Sequence, residues 1–205
     1  MKAVRTFAYG VMAGFFVSIG GTAFLSIENR VVAALFFTTG LFAISNYGFN
    51  LFTGKVCYLL DNGPRYLWDL ALIWLGNLGG TLIATALLGL TRVHPALAET
   101  AAPLVAAKLG DGLLSVFVLS VFCNVLIFIA VDGYRIIPDA LGKYLALFLG
   151  VAVFAISGFE HCVANMYFIS LTGSWSADAV LFIIVNTVGN SLGGLLVPAV
   201  KKIFK

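Results

Sequence analysis

Phe154-Ala155-Ile156-Ser157-Gly158-Phe159-Glu160-His161-Cys162-Val163-Ala164-Asn165-Met166-Tyr167 decides how this chain is read. The stretch lies in an apolar segment that carries no charge from Lys143 to Asp178 except at Glu160. An ionisable side chain at membrane depth is costly, so it faces a bundle interior or a pore. Ser157 and Gly158 precede the Glu160-His161 pair, and small residues there predict a helix that stops and restarts. Glu160 would then stand near the N-terminus of the second piece, where a carboxylate suits the helix dipole.

Part of the stretch occurs twice. Phe42-Ala43-Ile44-Ser45 repeats Phe154-Ala155-Ile156-Ser157 letter for letter. Gly76-Asn77-Leu78-Gly79-Gly80 follows the first copy, and Gly189-Asn190-Ser191-Leu192-Gly193-Gly194 follows the second at nearly the same distance. Two motifs in one order and spacing predict an internal duplication, with halves at about 1–95 and 105–205 inside a single transmembrane domain, 1–205.

Composition sets the class. Of 205 residues, 61% are hydrophobic and 10% charged, against roughly 25% charged in a soluble domain. A span takes about 20 apolar residues, so the length allows about six or seven spans and no sizeable soluble domain. The net charge of +3 is small and scattered, which argues against nucleic acid. Cys57, Cys123 and Cys162 form no CxxC pair and read as packing residues, with no metal or cofactor site implied. Lys2 and Arg5 resemble the basic start of a signal peptide. The uncharged run to Glu28 is too long for one, so it reads as a retained first helix.

Charges and glycines then divide the chain. Helix 1 falls between Arg5 and Glu28, and helix 2 between Arg30 and Lys55. Helix 2 is expected to break in the polar, Gly-punctuated run from Ser45 to Gly54. Helix 3 covers about 66–90, helix 4 about 113–131 and helix 6 about 179–200, with the broken helix 5 between the last two. Thr91 to Asp111 is the polar connection between the halves, and Asp132 to Lys143 reads as a loop. Six spans put both termini on one side. That side carries Lys2, Arg5, Lys55, Arg65, Arg135, Lys143, Lys201, Lys202 and Lys205, against Arg30, Arg92 and Lys108 on the other. The bias predicts cytoplasmic termini in a cell (plasma or inner) membrane. Three spans per half force opposite insertion, and inverted repeats with broken helices mark channels and transporters.

His161 is the first functional candidate, because imidazole lends or takes a proton near neutral pH. Glu160, its neighbour, points about 100° away on a helix and reads as a cap or a partner of backbone amides. Asn77 reads as structural, bonding across helices. Asn190 and Asn124 read equally as helix ties or pore-lining groups. Thr53 follows the first break and offers a hydroxyl either to an anion or to a local cap. Lys108 reads either as a solvated loop lysine or as a charge that draws anions into an outer vestibule. HExxH and P-loop patterns are absent, so an enzyme is not expected.

Ser157-Gly158-Phe159-Glu160-His161-Cys162-Val163-Ala164-Asn165-Met166 closely resembles the signature of the formate/nitrite transporter family. Leu51-Phe52-Thr53 resembles the family's Ω-loop motif, and Cys123-Asn124 its fourth-helix motif. Lys108 stands at the spacing of the vestibule lysine, and Gly189-Asn190 with Gly193-Gly194 is similar to the sixth-helix motif. The resemblance implies an aquaporin-like fold and a homopentamer with one pore per protomer. It also implies passage of small monovalent anions or their acids: formate, nitrite, hydrosulfide and, in some members, acetate or lactate; the imidazole of His161 adds the expectation that protons move with them. By position it implies His161 as the central histidine, Thr53 as the Ω-loop threonine and Asn190 as the sixth-helix asparagine. Leu41, Phe52, Ile127 and Phe154 would form apolar constrictions. The chain departs from the pattern at Asn50, where an acidic residue is common, and at Cys162, where serine is common. It also departs in Val185-Asn186-Thr187-Val188, which lacks an expected proline, and in its short N-terminal segment. The rival reading is a neutral-solute pore of the water/glycerol type, whose Asn-Pro-Ala pairs are missing here.

Overall fold

A computed structural model describes residues 1–204; Lys205, counted above among the basic residues, lies outside them. The described residues form helices and connecting turns without a strand. In chain order the helices are α1 (Lys2–Leu25), α2 (Arg30–Phe37), α3 (Thr39–Tyr47), α4 (Phe52–Val56), α5 (Tyr66–Gly89), α6 (His94–Leu109), α7 (Leu113–Ile136), α8 (Ala140–Ile156), α9 (Cys162–Leu171) and α10 (Ala177–Ile203). Side-chain oxygens start several of them. Asn29 accepts from the Val31 and Val32 amides, Asp139 from Gly142 and Ser176 from Ala179, each satisfying an amide the helix itself cannot. The α2–α3 run, α1, α5, α7 and α10 are each long and apolar enough to cross a membrane, whereas α8 and α9 are shorter.

Two elements differ from the sequence reading. The polar connection after Thr91 is largely the helix α6. Ala96, Ala98, Ala101, Ala102, Ala106 and Ala107 favour it, and Pro95 in its first turn lacks an amide the turn does not need. Helix α7 also runs past Val131 to Ile136. Asp132 was expected to open a loop, but its charge is met inside the helix by Arg135 at 2.7 Å and from α10 by Lys201 at 3.5 Å.

Close backbone approach builds the bundle. Helix α1 packs on α5, and α7 on α10. A Cβ on Gly76 would lie 2.6 Å from the Phe7 carbonyl oxygen, and one on Gly189 2.6 Å from that of Phe117. One turn on, a Cβ on Gly80 or Gly193 would overlap the carbonyl of Val11 or Val121. The same small-residue face therefore operates in both pairs. In lipid such faces matter because helix association rests on van der Waals contact, not on hiding apolar surface from water. The outward faces carry exposed Leu75, Leu87, Phe122, Leu149 and Ile184, a surface suited to acyl chains.

Helix α3 ends at Gly48, whose φ of 70° breaks the helical path, and the Phe49 amide turns back to the Ile44 carbonyl at 3.0 Å. After α8 the same construction recurs: Gly158 has φ 71°, and the Phe159 amide reaches Phe154 at 3.0 Å. Asn50 N–H then donates to the Tyr9 carbonyl of α1 at 3.1 Å, and Glu160 N–H to the Leu119 carbonyl of α7 at 3.4 Å. The two stretches thus leave helical geometry in one way and dock against matched places.

Gly80→Val and Gly193→Val should each force their helix pair apart and cost at least about 3 kcal/mol, the upper range for overpacking. The readout is loss of the monodisperse peak in detergent chromatography. Gly63→Ala, where a Cβ meets open space, should leave that peak intact.

Candidate functional site

Two asparagines hold the non-helical stretches. Asn77 Oδ1 accepts the Phe52 amide at 2.8 Å, while its Nδ2 donates to the carbonyls of Gly10 at 2.8 Å and Asn50 at 2.9 Å. Asn190 Oδ1 accepts the Cys162 amide at 2.9 Å, while its Nδ2 donates to the carbonyls of Ser120 and Glu160, both at 2.8 Å. Each amide side chain thus serves one amide just after a break and one carbonyl within it. Both asparagines are fully buried, so the groups they satisfy have no water to fall back on.

This places His161 at the start of α9. Its Nδ1 accepts the Ala164 amide at 3.1 Å, which makes His161, not Glu160, the cap of that helix. With Nδ1 occupied as an acceptor, a neutral ring carries its proton on Nε2. Nε2 lies 2.9 Å from Thr53 Oγ1. The ring also stacks on Phe154, centroids 5.4 Å apart and planes inclined by 16°. Thr53 is fixed in turn, its carbonyl accepting from Asn124 Nδ2 at 3.0 Å. Asn124 Oδ1 is buried without a partner among the described residues.

Glu160 turns away from the ring and does other work than the expected capping. Its carboxylate accepts from Lys108 Nζ and from Asn165 Nδ2, both at 2.6 Å. Lys108 is therefore no solvated loop lysine. Its side chain is 14% exposed and that of Glu160 6%, so each charge depends on the other.

Three voids adjoin this cluster. An outer one of about 70 Å³ is bordered by Arg30, Phe37, Lys108, Phe154 and His161. A middle one of about 20 Å³ is bordered by Phe37, Leu41, Leu51, Ile127, Phe154 and His161. An inner one of about 180 Å³ is bordered by Leu41, Leu51, Lys55 and Arg135. Outer and middle voids share Phe37, Phe154 and His161, and middle and inner share Leu41 and Leu51. The middle void has room for about one water molecule.

The sequence-predicted residues divide accordingly. His161, Lys108, Leu41, Ile127 and Phe154 border the voids. Thr53, Asn124, Asn190 and Asn77 stand behind them as supports. Phe52, expected at a constriction, borders none of the three; its neighbour Leu51 does. Phe37, Leu51 and Arg30 were missed. The shared Gly-Phe of the two breaks, Gly48-Phe49 and Gly158-Phe159, could have found Leu51, since it aligns Leu51 with His161.

Apolar spanning helices around a row of voids define an integral membrane protein of the transporter class. Comparison with known proteins narrows the class: the sequence profile described as formate/nitrite transporter matches residues 1–204, and the chain belongs to that family, whose members are channels and transporters, not enzymes. It is 27% identical to formate channel FocB of Escherichia coli (strain K12) over 81% of its length and 66% of that protein's. It is 30% identical to transporter YrhG of Bacillus subtilis (strain 168) over 81% of its length and 68% of that protein's. The chain thus spans about two thirds of these relatives. A solved structure of a pentameric formate channel with formate bound superposes with a TM-score of 0.78 at 25% identity, covering 94% of this chain and 91% of that one. An FNT family ion channel superposes at 0.80 with 22% identity, over 98% and 88%, and shows the fold.

Lys108→Ala should strand the Glu160 carboxylate and cost about 3–5 kcal/mol, as for breaking other buried pairs. Lys108→Ala combined with Glu160→Gln should restore part of the loss in a thermal melt. Asn190→Ala should lower the melting temperature further than Ser191→Ala, because it exposes a buried amide and carbonyls worth about 1–3 kcal/mol each.

Proposed function

We propose that the protein is a membrane channel for small monovalent anions or their conjugate acids, such as formate or nitrite. The observation that carries this reading is the row of three voids with His161 bordering the outer and middle ones. The family membership supports it and favours an anion over the neutral solute of a water-type pore. In this reading 1–205 is one channel domain built from two oppositely inserted repeats. The α2–α4 run and the α8–α9 run are its two interrupted spans, which brings the total to six. Both termini lie in the cytoplasm, and five protomers assemble around their own separate pores. Hydrosulfide, acetate and lactate fit the same passage by charge and size.

The chemistry follows from what an apolar constriction rejects. Stripping water from an anion costs several kcal/mol or more, whereas the neutral acid crosses far more cheaply. Arg30 and Lys108 at the outer void draw the anion in. Glu160 offsets Lys108, but Arg30 has no ion-pair partner among the described residues, so Arg30 supplies the uncompensated charge. A proton then joins the anion at the Phe37–Phe154 constriction. Protonating Nδ1 of His161 would set its N–H against that of Ala164 and undo the α9 cap. The ring therefore works as a neutral Nε2–H donor, shared with Thr53, that orients the substrate while water in the outer void supplies the proton. Leu41 and Leu51 close the passage on the inner side, so only the neutral species clears the middle.

Proteoliposomes assayed with formate, nitrite, hydrosulfide and acetate at two pH values test this. Flux should rise as the external pH falls. His161→Phe should reduce it by at least about tenfold, the factor for losing about 1.5 kcal/mol of hydrogen bonding to a charged group. His161→Asn, which keeps an acceptor for the cap and a donor, should retain a measurable share. Unchanged pH-dependent flux in His161→Phe would defeat the reading, and so would glycerol flux without anion flux in the unaltered protein.

A further inference from the structure

A larger cavity, about 370 Å³, lies between the ends of α7 and α10 and the turn at 57–61, and shares Tyr58 and Arg135 with the inner void. Its polar wall is Tyr58, Asp132, Arg135, Lys201 and Lys202. The buried Asp132 carboxylate organises it. One oxygen accepts from Arg135 Nη2 at 2.7 Å, and the other lies 3.5 Å from Lys201 Nζ. The Arg135 guanidinium rests 5.0 Å over the Tyr58 ring, and Lys202 Nζ donates to the Leu60 carbonyl at 2.6 Å. Arg135, Lys201 and Lys202 outnumber the cavity's two carboxylates, Asp61 and Asp132, and leave it one positive charge in surplus.

The surroundings select the kind of anion. Phe128, Ile136 and Pro198 form the cavity's apolar flank, and Ile136 is more than half exposed. The spanning helices α7 and α10 end here, so in a bilayer these groups sit at the depth where headgroups give way to acyl chains. Basic pockets between membrane helices at that depth accept anionic headgroups. A soluble anion would use the three cations but leave the apolar flank bare.

We propose that this cleft binds the phosphate of an anionic membrane lipid. Arg135, Lys201 and Lys202 hold the phosphate oxygens, and the acyl chains leave the cleft past the exposed Ile136. Asp132 is a positioning residue: it aligns Arg135 and Lys201 along one wall. A zwitterionic lipid would bring its own cation to a positive site and bind less well. The site goes beyond the transport reading, and its lipid binding is measured without any flux assay.

Native mass spectrometry of the delipidated protein, titrated with phosphatidylglycerol, phosphatidylcholine or inorganic phosphate, tests the proposal. Phosphatidylglycerol should be retained and phosphatidylcholine lost. Affinity for phosphatidylglycerol should fall roughly 25-fold in the Lys201→Gln/Lys202→Gln variant, about fivefold for each lysine near a lipid anion. It should hold in Lys2→Gln/Arg65→Gln, which removes equal charge elsewhere. Lys201→Gln alone, expected to lose about fivefold, gives the same reading should the double variant not fold. Equal retention of both lipids, or unaltered phosphatidylglycerol binding in the lysine variants, would overturn the site. Binding of inorganic phosphate without phosphatidylglycerol would overturn the lipid assignment.

Discussion

A polypeptide that leaves helical geometry inside a membrane has no water to satisfy its freed amides and carbonyls. This chain leaves helical geometry twice within its buried core, after Gly48 and after Gly158, and at each place one buried asparagine reached from a distant helix meets the need. The remainder of the site depends on that arrangement. Asn77 fixes the start of α4 and hence Thr53; Asn190 fixes the start of α9 and hence His161. The glycine faces of α5 and α10 are part of the same device. Gly76 and Gly189 each precede the asparagine by one residue, and only a backbone approach as close as theirs brings the amide side chain within reach.

With the breaks fixed, charge and ring chemistry separate cleanly. Glu160 and His161 are adjacent, yet their side chains serve different ends. The carboxylate goes to Lys108 and Asn165, and the imidazole to Ala164 and Thr53. The acid is neutralised by a lysine from α6, which is why α6 must be an ordered helix and not a loose connection. The ring, bonded on both nitrogens and stacked on Phe154, has little rotational freedom. A site whose groups are held before a ligand arrives needs less reorganisation when one does.

Much of this was legible in the sequence because it is written in strong signals. A lone charged pair in a greasy segment marks the centre, and a motif given twice marks the supports. The ion pair between Lys108 and Glu160 was not legible, since 52 residues separate the partners and the lysine's surroundings resemble a loop. Asp132 misled for a related reason: its compensation by Lys201 comes from another helix, so its charge looked like a helix end. Phe37 carries no local sign of its place, since one aromatic ring among many apolar neighbours names no partner. Leu51 is out of register with the letter-for-letter repeat. The four-letter repeat Phe-Ala-Ile-Ser is two residues out of step with the Gly-Phe that both breaks share, and only the latter registers the backbone where it matters.

That register also shows where the halves part company. Asn50, Leu51 and Phe52 stand where the second half has Glu160, His161 and Cys162. The backbone roles agree position by position: an amide bonded across to α1 or α7, then an amide taken by an asparagine. The side chains do not. The first half supplies an apolar wall at Leu51, the second an imidazole and a buried acid. Thr53, just past the first break, is the atom-level link, because its hydroxyl meets the imidazole of the second half across the bundle. The two breaks share one backbone scaffold, but the polar pair at the centre takes Thr53 from beside the first and His161 from the second, so neither stretch holds the site alone.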